Sequence, residues 1–84
     1  MNENFYDILD ELYFIRTFEE LLEKLNLESN VLQGYLWTMI EEGLIKTMVN
    51  FDEEIEQNKE NFEQNFKKYH YIASKKGLMW HNSL

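Results

Sequence analysis

The sequence predicts a mainly helical α+β domain, with three helices in its first half and an antiparallel strand pair plus a short C-terminal helix in its second. Three observations carry this. Apolar residues recur at helical spacing three times before residue 43, while the runs 44–50 and 67–73 carry β-type alternation. The composition, 44% hydrophobic and 15% aromatic, is that of a globular protein. A chain of 84 residues has room for a single domain, residues 1–84, with an ordered core over about 5–80.

The elements follow in order. Phe5, Ile8, Leu9 and Leu12 fit one face of an amphipathic helix, with Asp7, Asp10 and Glu11 outside. Tyr13–Arg16 is aromatic and β-branched, which suits a short strand. Thr17-Phe18-Glu19-Glu20 reads as a capping box opening a second helix, whose apolar face is Phe18, Leu21, Leu22 and Leu25. Asn26-Leu27-Glu28 breaks the pattern, and Ser29 or Asn30 is placed to cap a third helix. There Leu32, Tyr35, Leu36, Met39 and Ile40 share a face, and Gly43 stands where a left-handed stop belongs. A strand is expected at Leu44–Asn50, Ile45, Thr47 and Val49 alternating with Lys46 and Met48. Residues 52–65 are strongly polar and read as a long loop, although Ile55, Phe62 and Phe66 also fit one side of a helix. Lys67–Ala73 is the second expected strand, with Tyr69, Tyr71 and Ala73 on one side, and Ser74 caps a terminal helix through Leu78 and Trp80. Met39, Met48 and Met79 are expected to fill the core.

Composition narrows the function classes. Without cysteine there is neither a disulfide framework nor a thiolate metal cage. His70 and His81 lack ligand spacing, and Asp52-Glu53-Glu54 lacks the glycine turn of a calcium loop, so no metal site or other cofactor is expected. No nucleophile elbow, phosphate-cradling glycine loop or catalytic dyad is present, which argues against an enzyme and a small-molecule substrate. No stretch reaches the ~18 apolar residues of a membrane span. The acidic start Met1-Asn2-Glu3-Asn4 is unlike a secretory signal or transit peptide, so a cytoplasmic protein without a membrane partner is expected. Residues 1–43 hold ten of the sixteen acids against Arg16 and Lys24 alone, so the whole net charge of −8 lies in the first half.

The order helix, short strand, helix, turn, helix, strand, long loop, strand resembles a winged helix-turn-helix domain. Thr17-Phe18-Glu19-Glu20-Leu21-Leu22-Glu23-Lys24-Leu25 looks like the positioning helix of that superfamily. Val31, Leu36, Met39 and Glu41-Glu42-Gly43-Leu44-Ile45 look like the recognition helix entering the first wing strand. Tyr71-Ile72-Ala73-Ser74-Lys75-Lys76-Gly77-Leu78 is similar to the close of the wing in MarR-type and ArsR-type regulators. The resemblance covers about residues 5–80. It implies a three-helix core, a small antiparallel β wing, a short C-terminal helix, and a third helix that enters the DNA major groove.

The residues of the third helix depart from that function. Opposite its apolar face stand Asn30, Gln33, Gly34, Trp37 and Glu41, without a lysine or arginine. The span Thr17–Gly43 carries Glu19, Glu20, Glu23, Glu28, Glu41 and Glu42 against Lys24, a net of −5. DNA affinity rests largely on cations that neutralise phosphate, so this unit repels a duplex. Two readings follow. The first is a non-catalytic interaction or regulatory module that binds a protein, or a second copy of itself, through Asn30, Gln33, Trp37 and Glu41. Trp37 is then an interface anchor, unless its ring folds back onto the first helix or the wing strand. The second is a small transcriptional regulator contacting DNA through Lys46, Lys67, Lys68, Lys75 and Lys76, residues that otherwise simply keep a strand edge solvated. Tyr6 and Tyr13 either seat a dimer partner or cover the third-helix face of their own chain. The acidic helix-turn-helix unit favours the protein-binding reading.

Overall fold

Local sequence builds most of the helical half directly in the computed structural model, which describes residues 3–83. α1 (Glu3–Glu11) turns Ile8 and Leu9 inward, and Leu12 just beyond it is equally buried. β1 (Arg16–Thr17) leads straight into α2 (Phe18–Leu25). The capping box forms as expected: the Glu20 amide donates to the Thr17 hydroxyl at 3.1 Å, and the Thr17 amide donates to the Glu20 carboxylate at 2.8 Å. α2 ends at Asn26 in the left-handed conformation, φ 54°. α3 (Ser29–Glu41) buries Leu32, Leu36 and Met39, the three predicted residues at the centre of its apolar face. Its cap is Glu28, not the expected Ser29 or Asn30, and no side-chain bond closes it. Gly43 follows with φ 74°, the left-handed stop that its sequence position implied.

The second half holds the sheet. β2 (Ile45–Val49) and β4 (His70–Ala73) pair antiparallel, in register from Ile45 opposite Ala73 to Met48 opposite His70. β1 lies against β4, with Arg16 opposite Tyr71, and β3 (Glu53–Ile55) lies against β2, with Thr47 opposite Ile55. The sheet order is β1-β4-β2-β3. One face, carrying Ile45, Thr47, Tyr71 and Ala73, is buried against the helices. α5 (Lys75–Asn82), capped by Ser74, closes over α1 and β4. The architecture is α+β: five α-helices and a four-stranded antiparallel sheet among the described residues.

The structure corrects several expectations. Residues 52–65 are not a loop: they contain β3 and α4 (Lys59–Asn65). Asn58 caps α4 by accepting from the Asn61 amide at 2.8 Å, and a single residue, the fully buried Phe62, ties the helix down. One apolar anchor among seven residues leaves little periodicity to detect. The strand expected at 67–73 begins only at His70, because residues 66–68 form a 3₁₀ turn. That turn brings the Phe66 ring edge-on to Phe18, with centroids 4.8 Å apart, and lets the buried Tyr71 hydroxyl donate to the Phe66 carbonyl. The strand expected at Tyr13–Arg16 shrinks to Arg16–Thr17, since Tyr13 is turned toward α5 through bonds to His81 and Asn82. Of the three methionines assigned to the core, only Met39 is fully buried, while Met48 is half-buried and Met79 is 64% exposed. α5 packs through Gly77 and His81, and Leu78 and Trp80 are only half-buried.

Candidate functional site

The four residues singled out on α3 separate into a cluster of three and an outlier. Asn30, Gln33 and Trp37, joined by Gly34, occupy successive turns along one side of the helix. With Lys59, Phe62 and Glu63 of α4 they line an open groove of about 290 Å³. Glu41 lies one turn further on, exposed and outside the groove. The sequence missed the α4 wall entirely. Its only signal was the Ile55, Phe62, Phe66 spacing, obscured by the polar residues between.

Trp37 forms the floor of the groove with Phe62. The two ring centroids are 5.5 Å apart and the planes are tilted by 34°. The indole is half-buried, and its ring contact is with Phe62 of α4. Phe62 is fully buried and also meets Phe66 at 5.8 Å, so the floor is continuous with the core. Such a floor is fixed before anything binds, which lowers the ordering cost of association.

Gly34 stands in the α3 wall of this groove. A β-carbon built there would meet nothing within 4 Å beyond the helix's own backbone. Its φ is not positive, and it lies well inside a thirteen-residue helix. Glycine at such a place costs about 0.5–1 kcal/mol relative to alanine. No other element packs closely on the position, and its carbonyl accepts from the Thr38 hydroxyl at 3.2 Å. The contrast with Gly77 is sharp, where a β-carbon would sit 2.0 Å from the Leu44 carbonyl oxygen.

The charged residues do not form one basic face. Lys67 and Lys68 precede β4 and Lys75 and Lys76 follow it, so the four flank opposite ends of the strand. Lys46 lies on β2, its ammonium 3.9 Å from the Glu54 carboxylate across the strand pair. Lys76 donates to the Glu42 carbonyl at 2.8 Å, which ties it to the end of α3. Tyr69 and Tyr71, the aromatics between the lysines, are buried in the core and offer no stacking surface. Among the residues lining the groove, Lys59 is the only cation and Glu63 the only acid.

A second cleft of about 350 Å³ lies between the end of α3, the start of β2 and the end of β3. Its polar groups are bonded to each other: Thr47 donates to the Ile55 carbonyl and accepts from the Gln57 amide. The histidines are likewise engaged. His81 is buried, stacked on Tyr6 at 4.1 Å and bonded to the Tyr13 hydroxyl, while Phe51 packs on His70 at 5.0 Å. Tyr6 and Tyr13 thus meet α5, not the third-helix face expected of them, and both keep part of their surface exposed. Among the described residues no three His, Asp or Glu side chains gather to hold a metal ion, and no helix is long and apolar enough to cross a membrane.

Comparison of the chain with family models, with curated proteins and with solved structures gives no match. The functional reading therefore rests on the geometry of the groove and on charge.

Proposed function

We propose that this chain is a winged helix-turn-helix domain serving as a non-catalytic interaction module, and that it binds protein through the groove between α3 and α4. One observation carries the reading: the outer flank of α3, the side that would face DNA in the superfamily it resembles, is packed against α4 through Trp37 and Phe62. A DNA major groove about 12 Å wide admits one helix, and α4 stands against the flank of α3 that would enter it. α3 would carry α4 in with it. Charge acts in the same direction, with a net of −5 over Thr17–Gly43 and no cation on the outer side of α3. A half-buried aromatic floor with an open wall has instead the character of a protein-binding hot spot.

The test pairs two measurements. Fluorescence anisotropy with random-sequence duplex at physiological salt is expected to give no binding, even at the weak non-specific level of roughly 10⁻⁴–10⁻⁶ M. Affinity capture from a lysate, with and without nuclease, is expected to recover the same protein in both arms. Salt-sensitive micromolar duplex binding would overturn this reading in favour of contacts through Lys67, Lys68, Lys75 and Lys76.

A further inference from the structure

Gly34 is the residue of this domain that its own fold least explains. Helices disfavour glycine, no neighbour approaches the position, and the backbone there is ordinary right-handed helix. A missing side chain leaves backbone facing outward, and here it faces into a groove floored by the half-buried Trp37 indole, with the fully buried Phe62 ring behind it. Bare backbone beside an aromatic floor suits close approach by a bulky apolar side chain from outside. The groove volume of about 290 Å³ has room for one such side chain.

The surroundings define what carries that side chain. Glu63 lines the groove, Glu60 lies beside it on α4, and Glu41 is exposed one turn further along α3. Lys59 is the single opposing charge in the lining. The whole chain carries −8, so a second copy would meet this face with like charge. We infer that the α3–α4 groove seats one large apolar side chain of a Lys/Arg-rich segment in a partner protein, with Gly34 keeping the entrance open. This rests on the protein-binding reading and narrows it to a partner chemistry.

The experiment is a ¹⁵N-edited NMR titration of the intact chain with short synthetic peptides. One set is lysine-rich with a single central Leu, Phe or Trp, a second replaces that anchor by Ser, and a third keeps the anchor in an acidic background. Expected are perturbations at Gln33, Gly34, Trp37 and Glu63 with the basic anchored set, and none with the other two. Gly34→Leu is expected to abolish those perturbations while leaving the melting temperature unchanged or higher, because leucine favours helix. Gly34→Ala is expected to weaken binding in part, again without loss of stability. A merely structural glycine would show stability and binding falling together, and that result overturns the inference. Equal binding by anchor-free basic peptides, or binding indifferent to Gly34→Leu, overturns the groove as the seat while leaving protein binding elsewhere on the surface intact. Concentration-dependent self-association blocked by Gly34→Leu overturns the basic partner in favour of a second copy. Absence of binding by every peptide overturns the partner chemistry, and duplex binding in the anisotropy assay would overturn the underlying reading as well.

Discussion

The rings of Trp37 and Phe62 face one another at 5.5 Å, and through them the outer flank of α3 is joined to α4. The contact is one link in a series. Phe62 meets Phe66 at 5.8 Å, and Phe66 meets Phe18 of α2 edge-on at 4.8 Å. Four rings thus run from α3 across α4 and the 3₁₀ turn to α2. Aromatic pairs in such tilted and edge-on arrangements contribute ~0.5–1.5 kcal/mol each beyond the area they bury. A short, polar helix with one apolar residue is held in place by that series, and the groove beside Trp37 exists because of it.

Phe62→Ala is expected to destabilise the domain by about 3–5 kcal/mol, the usual cost of removing a fully buried phenylalanine. Small domains have a total stability of roughly 5–15 kcal/mol, so the loss is large. Thermal melting followed by circular dichroism measures it. Leu36→Ala on the buried side of α3 provides the scale, at about 2–5 kcal/mol. A Phe62 variant that melts like the parent would mean that residues 59–65 are only loosely attached.

Gly77→Ala is expected to cost ~1–3 kcal/mol, because its methyl group would overlap the Leu44 carbonyl and crowd Leu9. This is opposite in sign to the change expected at Gly34, although both glycines lie within helices. Denaturant unfolding of the two alanine variants side by side tests the distinction. A Gly77 variant as stable as the parent would mean that α5 shifts away from the start of β2 without penalty.

These contrasts show which parts of the structure were legible in the sequence. Local rules worked where they act locally: the Thr17–Glu20 box, the Gly43 stop and the Ser74 cap all form where the residues imply. The stripe Leu32, Leu36, Met39 was legible because three buried residues on one face make a periodic signal. α4 was not, because its place is set by a tertiary contact from Phe62 and its remaining residues are Asn, Gln, Glu and Lys. Half of the groove was hidden for the same reason, and Trp37 was assigned two alternatives without its actual neighbour. The lysines looked like one cluster in sequence, yet a strand with one pair before it and one pair after it spreads them apart.

The cap of α2 makes stability sensitive to acid. The Thr17 backbone amide donates to the Glu20 carboxylate, and this bond holds the carboxyl below the usual glutamate range. A carboxyl with a lowered folded-state pKa contributes above its unfolded value and loses that contribution as the pH falls through the folded one. Melting temperature is therefore expected to fall on acidification below the ordinary glutamate range, and Glu20→Gln is expected to flatten that part of the profile. Thr17→Ala removes the other half of the box and is expected to cost ~1 kcal/mol at neutral pH. An unchanged acid limb in the Gln variant would assign the acid sensitivity to other carboxylates.

Tyr13 ties the end of α1 to the end of α5 through its hydroxyl. That hydroxyl lies 2.8 Å from the Asn82 side-chain oxygen, which can only accept, and 2.9 Å from His81 Nδ1. His81 Nδ1 and the Asn82 side chain share the hydroxyl, while His81 Nε2 stands 3.5 Å from the Asp10 carboxylate. Tyr13→Phe removes the Nδ1 partner from a ring that is only 9% exposed. Leaving a buried polar nitrogen unpaired costs ~1–3 kcal/mol, more than the net worth of an ordinary exposed hydrogen bond. The loss is expected to be local, since the bond joins the end of α1 to the end of α5 and touches neither α2 nor α3. Amide hydrogen exchange in α5 is expected to accelerate in Tyr13→Phe, with the amides of α3 protected as before. Asn82→Ala is expected to do much less, because Asn82 is exposed and water can take its place at the Tyr13 hydroxyl. Equal effects from the two variants would mean that the Asn82 bond, not the His81 bond, secures the helix. No effect from either would assign that task to the stacking of Tyr6 on His81 at 4.1 Å, and Tyr6→Ala would then be the variant that frees α5.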